Sequence, residues 1–305
     1  MTVERLLPAD ALRPRWSSGS ALVYIGGFVV LSATGSLLGI LEDDHGTGAL
    51  VGYSLLATAV AIVLALGLQE RNRPVAAGVL ATLAVTFFVV VVGALEVWIG
   101  ILDEDDPSGG DWQPALFLVE LLTIAAALVA LRRFRAPLLV LPIAIAFAVA
   151  VIDIGAEEYT AILAGLVLVA AGHAVDRAGL RPYGMWPHFV GGATFGGGVL
   201  ALVDGDAGWI LVGLLSIAYV AGGYAFGRAS HAVLGAMGIL ATTTYFIQDG
   251  LSFVSIFVPL DVGEPGGGTE PWQIALYYVF AGLLILALGL AGDRFARLHG
   301  GDSEV

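Results

Sequence analysis

The sequence predicts an all-α, polytopic membrane protein of about ten transmembrane helices with both termini cytoplasmic. Three observations predict it. The 305-residue chain is 58% hydrophobic and 13% charged, with a mean hydropathy of +0.90, which leaves too little polar surface to clothe a soluble domain. Apolar stretches of about 20 residues, the length of a bilayer-crossing helix, recur along it. Its 13 basic residues, all arginine, fall in alternate gaps between those stretches, as the positive-inside rule requires of cytoplasmic loops.

Residues 1–18 form a short cytoplasmic segment bearing Arg5, Arg13 and Arg15. The helical transmembrane domain occupies 19–291, with spans at 19–41, 49–68, 75–102, 113–131, 137–155, 159–175, 187–203, 208–226, 231–248 and 272–291. The first run is too long for the apolar region of a cleaved leader, so it reads as a retained signal anchor. Pro74, Pro137 and Pro187 sit at or beside expected helix starts, where a missing N–H costs nothing. Trp112, Trp209 and Trp272 fall at span ends, as in an interfacial aromatic belt. Segment 187–203 carries five glycines and reads as a short span or a broken helix, and 250–260 is apolar but too short to cross. Residues 292–305 form a cytoplasmic tail.

This span count puts Arg71 and Arg73, then Arg132, Arg133 and Arg135, then Arg177 and Arg181, then Arg228, on the inner side with the arginines of both tails. The opposite loops hold 15 acids and no base, including Asp103-Glu104-Asp105-Asp106, Glu157-Glu158, and Asp204 with Asp206. Exposed carboxylates so crowded repel unless salt screens them. A halophilic source or a cation-attracting surface accounts for the net charge of −13.

The absence of cysteine excludes disulfides, thiolate catalysis and Cys-ligated metals. The absence of lysine excludes a P-loop and any Schiff-base cofactor. No cofactor, nucleic-acid partner or enzymatic activity is expected. Ionisable groups inside a span are costly and default to functional candidates. Four acids qualify: Glu96, Glu120, Asp153 and Asp249, all toward the outer ends, with Glu120 deepest. Thr82, Thr86, Val89, Gly93 and Glu96 share one helical face, as do Gly235, Gly238, Thr242, Tyr245 and Asp249. Pro142, Ala146, Ala150 and Asp153 repeat the pattern, and so do Glu120, Thr123 and Ala127. Such stripes fit an outward-opening, carboxylate-lined ion or solute pathway, with Thr86 and Thr242 among its polar groups. They also fit the small-residue packing of membrane helices, the preferred reading for all but Glu120.

His173, His188 and His231 fall near inner span ends without metal-site spacing, and His45 lies in an acidic loop, so no metal ligand set is expected. Gly35-x-x-x-Gly39, Gly192-x-x-x-Gly196 and Gly223-x-x-x-Gly227 permit close helix approach, within the bundle or in a homo-oligomer.

Two resemblances follow. The even span count permits a five-plus-five inverted arrangement, although spans 1–5 and 6–10 share no evident sequence similarity, and it resembles drug/metabolite-type transporters in number and length. Ala11-Leu12-Arg13-Pro14-Arg15, Tyr24-Ile25-Gly26-Gly27, Glu70-Arg71-Asn72-Arg73 and Thr244-Tyr245-Phe246 with Gln248-Asp249 carry the second. They resemble a domain-of-unknown-function family of prokaryotic, haloarchaeal-like polytopic membrane proteins, which implies no activity or residue roles. The functional expectation is a cell-membrane transporter or permease for a small solute or cation, proton-coupled through these carboxylates. A non-transporting membrane scaffold or regulatory partner protein is the alternative.

Overall fold

The computed structural model describes residues 45–102, 114–155, 157–203 and 205–247. The described residues form eight α-helices and one 3-10 turn. They are α1 (Thr47–Glu70), α2 (Pro74–Trp98), α3 (Pro114–Phe134), the turn Pro137–Leu139, α4 (Val140–Asp153), α5 (Glu157–Arg177), α6 (Arg181–Leu202), α7 (Gly205–Phe226) and α8 (Ala229–Ile247). The expected spans 19–41 and 272–291 and the segment 250–260 lie outside the described residues.

Five helices, α1, α2, α3, α5 and α7, are long and apolar enough to cross a membrane. The protein is therefore a multi-pass integral membrane protein. The 3-10 turn and α4 together are shorter, reaching about 27 Å, a few ångströms less than a typical hydrocarbon core. Two expectations shift in detail. Pro187 lies inside α6 rather than at its start. Pro182, in the helix's first turn, takes the place expected of Pro187, because an N–H there has no intrahelical acceptor anyway. The glycine-rich 187–203 stretch is accordingly part of a continuous 22-residue helix rather than a broken one.

What these helices bury identifies their solvent. Helix α1 buries Leu50, Ser54, Thr58, Ala61 and Ala65 at steps of 4, 4, 3 and 4. It exposes Leu55, Leu56, Val60, Val63 and Leu64. Helix α3 buries Glu120, Thr123, Ala127 and Leu131 and exposes Leu118, Leu121, Leu122 and Val129. Helix α7 buries Gly208, Val212, Ser216, Val220 and Gly223 and exposes Ile210, Leu211 and Leu214. Small and polar residues point inward and large aliphatic ones outward, the reverse of a water-soluble bundle. Lipid gives no hydrophobic drive for burying leucine, so packing selects small side chains instead.

The chain divides into two compact units, residues 1–191 and 192–305, and the division falls within α6. In the first unit each helix packs on the next, from α1 through α5, and the 3-10 turn touches α2, α3 and α4. Helix α2 is the most enclosed, half of its most apolar stretch being buried. One core cluster gathers Ala65, Ala81, Leu131, Ala136, Leu139 and Tyr183 at the arginine-bearing end of this unit. There the Gln69 side-chain amide donates to the Arg133 carbonyl at 3.1 Å, and the Tyr183 hydroxyl donates to the Arg135 carbonyl at 3.4 Å. These bonds tie the arginine-bearing connections together.

The second unit is built on the α7–α8 hairpin. Gly235 lies against the Ser216 carbonyl, where an added Cβ would come within 2.6 Å, and Gly238 lies directly against the Ser216 hydroxyl. A side chain at either position would push the two helices apart. The arginine-bearing connections close with a left-handed residue after the helix: Asn72 (φ 59°), Arg135 (φ 53°), Gly179 (φ 80°) and Gly227 (φ 62°). At three of them the following N–H reaches five residues back, Arg73 to Leu68 at 2.9 Å, Leu180 to Val175 at 3.1 Å and Arg228 to Gly223 at 2.7 Å. This satisfies carbonyls that the helix end would otherwise leave open.

Candidate functional site

Helices α3 and α4 form a tight antiparallel hairpin around Ala136 and Pro137. Glu120 lies 16 residues before Ala136, and Asp153 lies 16 residues after Pro137. Residues equidistant from a hairpin turn come level with one another, and the structure places these two carboxyl groups near enough to interact electrostatically. Two carboxylates offer only acceptors, so a hydrogen bond between them would form only with a proton on one of the pair. Glu120 is only 6% exposed, and its Oε2 has no hydrogen-bond partner among the described residues. Asp153, the last residue of α4, is half-buried. Because α4 is short, its end is sunk to the level of Glu120, which lies about 9 Å inside the Pro114 end of α3.

The remaining candidates are distributed as follows. Glu96, near the end of α2, is 5% exposed, and its Oε2 also has no hydrogen-bond partner among the described residues. Its backbone carbonyl accepts from Ile101 and Leu102 at 2.9 and 3.2 Å, closing that helix end. Thr86 donates to the Thr82 carbonyl at 3.1 Å, and Thr123 to the Val119 carbonyl at 2.7 Å, so both hydroxyl protons are used within their own helices. In the second unit Thr242 packs its methyl 3.1 Å from where a Gly213 Cβ would stand. Its hydroxyl donates to the Trp209 carbonyl at 3.4 Å. Tyr245 stacks on Trp209 with ring centroids 4.8 Å apart and donates to Asp206 at 3.2 Å. The stripe on α8 is thus the seam against α7. Asp249 lies outside the described residues.

The glycine pairs are also divided in their use. Gly192 and Gly223 make close contacts inside the second unit, whereas a Cβ added at Gly196 would meet no neighbouring group within 4 Å and Gly227 is the left-handed helix end. Gly35 and Gly39 lie outside the described residues.

Sequence reasoning missed a second cluster, on the α5–α6 hairpin. His188, fully buried, lies with Nε2 3.0 Å from Oδ2 of Asp176. The His173 ring meets the His188 ring edge to face, with centroids 4.4 Å apart. Asp176 drew no attention because it stands beside Arg177 in an inner connection. Distance from the turn did not reveal the cluster, since His173 and His188 lie six and nine residues on either side of Gly179. His231, on α8, stacks on Tyr219 with centroids 4.6 Å apart.

No protein family matches the chain, and no curated protein or solved structure is similar to it. What fold and site define is therefore a class, a polytopic helical membrane protein holding buried carboxyl groups within its helices.

Proposed function

We propose that the protein is a transporter or permease for a small solute or cation, coupled to protons through the Glu120–Asp153 pair. The observation that supports this most is the meeting of two carboxyl groups from neighbouring helices at membrane depth. A lone intramembrane acid is tolerated by staying neutral, but two in contact form a proton-binding unit whose occupancy depends on what else approaches it. An arriving cation displaces the shared proton, and its departure lets the proton return. The unsatisfied Oε2 atoms of Glu120 and Glu96 are where water or a cation would be received. Glu96 then serves as an outer carboxylate on the way to Glu120.

In this reading the chain crosses the membrane about ten times, with both termini and every arginine-bearing connection cytoplasmic. The acidic loops face outward, where they gather cations and require high salt for screening. The α7–α8 seam carrying Thr242 is structural.

The test is proton flux in proteoliposomes carrying an internal pH reporter, driven by an imposed gradient of a monovalent or divalent cation. Glu120→Gln and Asp153→Asn should each lower cation-driven proton movement at least tenfold while leaving yield and helix content unchanged. Flux equal to that of the unmodified protein in both variants would remove the coupling role. The reading as a scaffold or regulatory partner would then stand in its place.

A further inference from the structure

We propose that His173 and His188, with Asp176 orienting His188, form a binding site for a divalent transition-metal ion of the Zn2+ type. The site stands on the α5–α6 hairpin and is independent of the carboxyl pair. Three features of its construction point to a ligand rather than to filler. First, two imidazoles are packed edge to face at 4.4 Å in a chain with only five histidines. Their candidate ligating nitrogens lie within 4.8 Å of one another, and a closing movement of the rings of about 1 Å would bring both onto one ion with bonds of about 2 Å.

Second, His188 is held by a carboxylate. With Nε2 donating to Asp176 at 3.0 Å, the tautomer is set and the lone pair is on Nδ1. A carboxylate hydrogen-bonded to the far nitrogen is the usual support of a metal-binding histidine, since it fixes the ring and raises its basicity.

Third, the hairpin is cut away to make room. A Cβ on Gly172 would come within 2.9 Å of Cε1 and Nδ1 of His188, and one on Gly184 would collide with Oδ1 of Asp176. Neither ring nor carboxylate could keep its place if these two residues were alanine.

Imidazole nitrogen selects zinc, copper, nickel or cobalt over magnesium and calcium, which prefer oxygen. Two protein nitrogens leave the other coordination positions to water or to an arriving group. His173 lies about 6 Å from the end of α5, and His188 about 10 Å into α6, so the ion would sit a short way inside the arginine-bearing end.

The test uses the full chain, purified in detergent through a histidine-free tag, stripped with chelator and titrated with Co2+ alone. One saturable ion per chain is expected, with the visible absorption of nitrogen-coordinated cobalt. His173→Gln and His188→Gln should each weaken binding at least tenfold. Asp176→Asn keeps both ligands and should weaken it by about 10- to 100-fold. Glu120→Gln should leave it unchanged, which separates this site from the carboxyl pair. His188 is wholly buried, so the half-buried His173 supplies the deciding variant if the other does not fold. Absence of saturable binding, or affinity unaltered in His173→Gln, overturns the proposal, as does loss of binding in Glu120→Gln.

Discussion

The Glu120 side chain shows how much a single residue depends on its partner in this protein. A carboxyl at this depth is tolerable when it is hydrogen-bonded and the pair carries a proton, and costly when it is not. Glu120→Gln keeps an amide that can donate to Asp153, so the folded state should lose little. Glu120→Ala removes the donor and leaves a cavity beside a half-buried Asp153. That change should lower stability by about 1–3 kcal/mol, read as a drop in thermal unfolding temperature in detergent larger than that of Glu120→Gln. Equal losses in the two variants would mean that the contact contributes nothing. The burial of Glu120 was legible from its depth along the helix. Its pairing with Asp153 was legible too, through the equal distance of both from the 136–137 turn. Depth alone, taken helix by helix, does not reveal it.

At the scale of the helices, the inverted pattern of burial decides which substitutions matter. Leu56 and Leu214 face outward, so replacing either with alanine leaves no cavity in the packed interior. Gly235 faces the Ser216 carbonyl and the Val220 side chain at distances that admit no Cβ. Gly235→Val should therefore cost about 1–3 kcal/mol, whereas Leu214→Ala should stay within about 0.5 kcal/mol. Thermal unfolding of both variants in one detergent checks the contrast, and a reversed order would contradict lipid as the solvent of these faces. The sequence marked the Gly235, Gly238 and Thr242 stripe and left both packing and pathway open, with packing the favoured reading. Both uses need small or polar residues at the same helical spacing, and only the position of α7 distinguishes them. The start of α6 was misplaced for a related reason. Pro182 and Pro187 both suit a first turn, and a helix with close neighbours can carry a proline further along.

For the whole molecule, sidedness is the most specific expectation of the sequence, because the sorting of arginine and carboxylate between alternate connections depends only on chain order. It predicts that a membrane-impermeant maleimide, applied to right-side-out vesicles, labels Glu158→Cys at once and Arg71→Cys only after permeabilisation. The cysteine-free chain gives no background. Labelling of both from outside would contradict the inside-terminus topology. The meeting of His173 and His188 was not legible, since they stand at unequal distances from Gly179 and look like ordinary interfacial residues until α5 and α6 are folded together.

The central claim is that Glu120 and Asp153 share a proton inside the membrane. Infrared spectroscopy of the protein in lipid nanodiscs and neutral buffer tests it most directly. A carboxylic-acid carbonyl band that is lost in both Glu120→Gln and Asp153→Asn is the predicted result. A band that persists unchanged in both variants, or is absent from the unmodified protein, would contradict it.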